Sequence, residues 1–165
     1  MKNINFRRAL LAGFAATIVM SLVMMMAPLM GMHKMDVPAM LGGMLSALPA
    51  TPGSPAWLMG LFIHLIIGTA ILSVTYAFIG GHLPTSSPTA KGVVYGVFVW
   101  LISQVMVMPM MGAGLFSSNT PGPTAALMGS LIGHLVYGGI LGSLYGTSQR
   151  IARLDRRSDC VLCIK

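Results

Sequence analysis

The chain of 165 residues is 55% hydrophobic and only 8% charged, with a mean hydropathy of +0.81, which excludes an ordinary soluble domain, where about a quarter of residues carry charge. Its three acidic residues are Asp36, Asp155 and Asp159, and glutamate is absent, which excludes paired-carboxylate catalysis, di-iron bundles and HExxH zinc sites. The net charge of +7 raises the question of nucleic acid, but the basic residues lie at the ends of apolar runs without interleaved aromatics, so no nucleic-acid partner is expected.

The first apolar run, from about Ala9 to Met32, follows MKNINFRR. It is too long for the roughly 7 to 15 residues of a cleaved signal sequence and matches the roughly 20 residues of a helical span. A methionine-rich segment follows, in which Met32, His33 and Met35 stand together. DVPAMLGGMLSAL, Asp36 to Leu48, is too short to span and predicts a short interfacial or re-entrant helix with Asp36 as N-cap and Pro38 in its first turn. Pro49, Pro52 and Pro55 lead stiffly into the second span, about Ala56 to Ile79.

Gly80, Gly81, Pro84 and Pro88 break the chain before the third span, about Gly92 to Met111. Pro121, Gly122 and Pro123 precede the fourth, about Thr124 to Gly146. The expected fold class is therefore an all-α integral membrane bundle of four spans over residues 1–150, followed by a basic tail at 151–165. In that tail Cys160 and Cys163 form one CxxC, half of a four-cysteine zinc site. Incidental thiols and reversible palmitoylation are the other readings.

Charge placement gives a topology. Lys2, Arg7 and Arg8 precede the first span, Lys91 lies between the second and third, and five basic residues follow the fourth, whereas only Lys34 falls on the opposite side. The positive-inside rule then puts both termini in the cytoplasm, with the basic ends against anionic lipid headgroups.

HLIIGTAILS from His64 and HLVYGGILGS from His134 share His, Leu, Gly and Ser in order, and MAPLMGM, Met26 to Met32, is matched by VMPMMGA, Val107 to Ala113. The offsets, 70 and 81 positions, differ by the outer-loop insertion of the first half. Two hairpins in one orientation follow, a parallel repeat about an axis along the membrane normal.

Gly60, His64 and Gly68 are spaced by four, as are Ser130, His134, Gly138, Gly142 and Gly146, so each histidine shares a helix face with small residues suited to close packing. At 1.5 Å per residue both imidazoles lie roughly 12 to 15 Å from the outer ends of their spans. Four readings stay open. Each imidazole hydrogen-bonds a neighbouring helix, at Ser73, Ser143, Thr69, Tyr137 or Tyr145; the pair ligates a haem b; His33, His64 and His134 with Met32 and Met35 hold copper, since soft thioethers with imidazole suit Cu(I); or the pair lines a proton or small-solute pathway.

RRALLAGFAATIVMSLVMMM, the P-x-M-G span end and GHLVYGGILGSLYG together resemble small uncharacterised four-helix inner-membrane proteins of bacteria, over most of residues 7 to 147. The resemblance implies the fold and the membrane and brings no activity. The role expected from the residues is non-catalytic: a small subunit or accessory protein whose glycine faces pack within itself, in a homo-oligomer or against a membrane-complex partner.

Overall fold

The computed structural model describes the backbone of residues 4–30 and 35–162 and the side chains of 4–29 and 35–147. Among the described residues every regular element is helical. Four helices are long and apolar enough to cross a membrane: Phe6–Leu29, Pro55–Ile79, Pro88–Met110 and Pro123–Thr147. The last runs on without a break, the helix Pro123–Leu162 carrying the fourth span into the basic tail.

Local chemistry sets where the helices begin. The Asn5 side chain accepts a hydrogen bond from the Arg8 amide at 3.1 Å and so caps the first span. Ser54 caps the second in the same way, accepting from the Trp57 amide at 3.2 Å. Proline then occupies the first turn of the second, third and fourth spans, where its missing N–H costs nothing and its fixed φ suits the helix. The short helix forms as expected at Val37–Leu45, with Asp36 accepting from the Ala39 amide at 3.0 Å.

The short helix lies on the first half of the second span. Glycine makes this possible: a Cβ at Gly42 would collide with the Ala56 carbonyl, and one at Gly60 with the Pro38 carbonyl. Asp36 Oδ1 also accepts from Trp57 Nε1 at 2.9 Å, which ties the helix cap to the span beneath it.

The first span packs against the fourth and against the second half of the second span, and the third packs closely along the fourth. Along that last interface Gly92 and Gly96 meet Gly138 and Gly142 backbone to backbone, and Gly146 meets the Pro88 ring. Gly68 abuts Thr17 of the first span. The second and fourth spans are joined by a hydrogen bond, Tyr137 Oη donating to the Gly68 carbonyl at 2.6 Å.

The half of the bundle nearer the termini carries the buried core. Ala9, Ala12, Ala16 and Leu141 pack with Tyr76, Tyr95, Tyr137 and Tyr145, all four tyrosines of the chain. Tyr76 stacks at 5.2 Å between centroids from Tyr95 and at 6.1 Å from Tyr145, within the range of favourable aromatic pairs.

Two spans widen into π-helix, at Ile67–Leu72 and Ser103–Val107. Such insertions disturb the i→i−4 ladder, and neighbouring groups commonly take up the displaced carbonyls. Here two tyrosines do so: Tyr137 bonds Gly68 O, and Tyr95 Oη donates to Leu72 O at 2.7 Å. Large apolar side chains such as Phe62, Phe98 and Met25 cover the outside of the bundle, where a bilayer would contact them.

Candidate functional site

The half of the bundle away from the termini contains a cavity. The first span packs most closely on the second from the π segment onward and touches it earlier through Ser21 and His64, while the short helix covers the span's beginning. The space so left is a partly open cavity of about 190 Å³, and His64 and His134 both line it. Five methionines join them: Met20 and Met24 from the first span, Met35 before the short helix, and Met108 and Met111 from the end of the third span. Tyr137 and Thr17 also line the cavity, with the tyrosine-rich core extending from Tyr137 toward the termini.

Each imidazole is oriented by a hydrogen bond that fixes its tautomer. His134 Nδ1 lies 2.7 Å from the carbonyl of Ser130, one turn earlier. A carbonyl only accepts, so Nδ1 carries the proton and Nε2 is a bare lone pair. His64 Nε2 lies 3.2 Å from Ser21 Oγ, whose own proton goes to the Thr17 carbonyl at 2.8 Å. The hydroxyl therefore accepts from Nε2–H, and Nδ1 of His64 is the bare nitrogen. Neither bare nitrogen has a hydrogen-bond partner among the described residues.

These partners differ from those expected. Ser73 and Ser143 bond carbonyls of their own helices, Thr69 and Ile140, and Thr69 Oγ1 is buried without a partner. Tyr137 turns to Gly68. A serine or threonine in a helix finds a carbonyl one turn back more readily than a distant ring, which is why proximity in sequence misleads here.

Behind His134 lies a polar network that the histidine pattern does not announce. Ser130 Oγ accepts from Gln104 Nε2 at 2.9 Å and from Trp100 Nε1 at 3.1 Å, and donates to Leu127 O at 3.0 Å. Ser117 Oγ donates to Gln104 Oε1 at 2.9 Å. Gln104 and Ser117 have no exposed surface. Ser117 reaches this position through a strained loop, in which Phe116 and Ser117 adopt positive φ of 50° and 63°. Gln104 is the single amide side chain within the four spans, a signal available in the sequence.

Of the residues expected to hold a metal, the structure brings Met35, His64 and His134 to one cavity. Met32 and His33 lie outside the described residues, as do the side chains of Cys160 and Cys163. Among the described residues no three His, Cys, Asp or Glu side chains converge, so any metal held there needs thioether donors. Met20, Met24, Met108 and Met111 supply candidates that the outer-loop pattern did not single out.

The residues expected to form packing faces are divided among several partners: Gly60 meets the short helix, Gly68 the first span, and Gly138, Gly142 and Gly146 the third span, while Ser130 is a hydrogen-bonding hub. A family of unknown function, DUF6789, matches residues 4–156. No curated protein and no solved structure matches the chain.

Proposed function

The chain belongs to DUF6789, a family of unknown function, and we propose that it is a non-catalytic protein of the bacterial inner membrane that binds a small ligand between its helices, in the cavity of His64 and His134. The observation that carries this reading is that two imidazoles and five thioethers line one space within the bundle. Ionisable side chains within spans are expensive and are functional candidates by default.

The competing readings have less support. The glycine faces suited to a partner helix are occupied by the chain's own backbones at Gly92, Gly96, Gly138 and Gly142. A continuous pathway would have to cross the tyrosine core, whose Tyr137 and Tyr95 hydroxyls end on backbone carbonyls with no proton to pass on. A porphyrin needs a pocket toward the upper part of the roughly 300–1,000 Å³ range of organic-ligand sites, and this cavity, at about 190 Å³, favours a smaller occupant.

With both termini in the cytoplasm, as the basic residues direct, the cavity faces the outer side of the membrane. His64 and His134 are then equivalent positions of two hairpin repeats that place their imidazoles at one depth. Anionic lipid headgroups neutralise the basic ends.

The test uses full-length protein carrying Cys160→Ser and Cys163→Ser, with one thiol added at cavity-lining Ser103 or at lipid-facing Val105. A thiol reacts as its thiolate, which forms only where water reaches it. A small membrane-impermeant thiol reagent added outside spheroplasts is expected to label Ser103→Cys and to spare Val105→Cys. An unreactive Ser103→Cys in folded protein would mean a closed, dry space and would overturn the reading.

A further inference from the structure

We infer that the ligand is Cu(I), bound by Nδ1 of His64 and Nε2 of His134 with the thioether of Met24 as third donor. The inference rests on the cavity being a ligand site. It adds the identity of the ligand and of its donors.

The donor set of the cavity suits a soft, monovalent ion. The side chains on the cavity that could donate to an ion are two imidazoles, five thioethers and the hydroxyls of Thr17, Ser103, Ser130 and Tyr137, with no carboxylate and no thiolate. The electrostatic cost of placing an ion in a low-dielectric interior rises with the square of its charge. A divalent ion without anionic ligands is therefore disfavoured far more than a monovalent one. Thioether and imidazole together select a soft ion. A monovalent, soft cation content with two or three ligands is Cu(I), with Ag(I) as its chemical analogue.

The tautomers point the same way. A histidine that binds a metal ordinarily donates its other ring N–H to a carbonyl, carboxylate or water, which fixes the ring and leaves one lone pair for the ion. His134 donates Nδ1–H to Ser130 O at 2.7 Å, and His64 donates Nε2–H to Ser21 Oγ at 3.2 Å. Both rings are thus held as metal-binding histidines are held before the ion arrives. The Ser130 support is itself braced by Gln104 and Trp100.

Met24 is singled out by position. It lies three residues after Ser21, one helical turn along the same face, so the first span carries both the partner of His64 and this thioether. Its sulfur packs at Gly133, beside His134, where a Cβ would come within 3.1 Å of it. Met24 thus lines the same cavity as both histidines and packs against the residue preceding His134, whereas Met25 points to the lipid side.

The test is anaerobic titration of purified full-length protein with Cu(I), against a chromogenic Cu(I) chelator. Cys160→Ser and Cys163→Ser are included so that tail thiols bind nothing. The expected result is one Cu(I) per chain, displaced by Ag(I) and not by Zn(II), with an X-ray absorption spectrum showing nitrogen and sulfur scatterers. His64→Ala and His134→Ala are each expected to abolish stoichiometric binding. Met24→Leu, which conserves apolar volume, should weaken binding by more than the roughly 10- to 100-fold typical of losing an outer-shell partner, and Met25→Leu should leave it unchanged. Helical content and elution volume of each variant check the fold, and if the histidine variants fail to fold, the Met24→Leu and Met25→Leu contrast decides.

Absence of Cu(I) binding, stoichiometric binding in a His64→Ala, His134→Ala double variant, or preference for Zn(II) would overturn the inference. Labelling of Ser103→Cys from outside without Cu(I) binding would leave the ligand-site reading standing and remove copper alone. An unreactive Ser103→Cys would remove both.

Discussion

Ser21 of the first span holds His64 of the second: its Oγ accepts from Nε2 across 3.2 Å while donating to Thr17 O at 2.8 Å. One hydroxyl thereby sets both the spacing of two spans and the tautomer of the imidazole. Ser21→Ala is expected to lower stability in detergent by about 1 kcal/mol, the usual scale of an interhelical hydrogen bond in a membrane. It should also weaken Cu(I) by about tenfold or more through loss of ring orientation. Ser21→Thr, which keeps a hydroxyl, should recover most of both. Chelator competition and denaturant unfolding on the same preparations measure the two effects.

Gln104 is expected to act on His134 at one remove. Its amide satisfies Ser130 Oγ and Ser117 Oγ in a region with no access to water. Gln104→Leu leaves the Ser117 hydroxyl without an acceptor and should cost about 1–3 kcal/mol. Gln104→Glu, held neutral where no water reaches it, keeps an acceptor and one O–H donor and should be intermediate in stability. A purely structural role would leave the chelator competition constant untouched in both variants, whereas a positioning role shifts it.

The glycine contacts give a prediction with opposite outcomes at similar residues. A side chain at Gly138 would collide with the Gly92 carbonyl and one at Gly142 with the Pro88 carbonyl, whereas a Cβ at Gly43 meets nothing within 4 Å. Gly138→Leu and Gly142→Leu should destabilise the bundle by at least the 1–3 kcal/mol typical of overpacking. Gly43→Ala, in a helix and facing open space, should be neutral or slightly stabilising. Thermal unfolding followed by circular dichroism separates the two classes.

Asp36 caps the short helix and accepts from Trp57 Nε1 at 2.9 Å. Asp36→Ala should remove about 0.5–2 kcal/mol of capping and loosen the short helix from the second span. Asp36→Asn retains an oxygen acceptor and should preserve both functions. In a Trp100→Phe background Trp57 is the sole tryptophan, and its emission is expected to change with Asp36→Ala and not with Asp36→Asn.

The spans, their proline openings and the Asp36 helix were legible in the sequence because hydropathy, capping and ring geometry act locally. The similar depth of His64 and His134 and their place on small-residue faces could be read from the spacing, whereas whether the two rings share one space could not. What was not legible depends on contacts between distant segments. The partners of the histidines, Ser21 and the Ser130 carbonyl, are a short polar residue in an apolar run and a backbone atom, neither of which a pattern marks. The π segments have no compositional signature, since IGTAIL and SQVMV read as ordinary helix. Glycines spaced by four indicated close approach without indicating toward which neighbour, and in the structure they are shared among three. Gln104 was overlooked although an amide in a hydrocarbon span always requires a partner.

The tyrosine-packed half makes the bundle a cup with a floor. In the proposed site a ligand would enter and leave through the same opening. Its occupancy would then track the free ligand concentration at that opening. A site of the proposed kind stores its ligand or hands it over at the same face, and its rate of release depends on the donors that hold the ligand as well as on the opening.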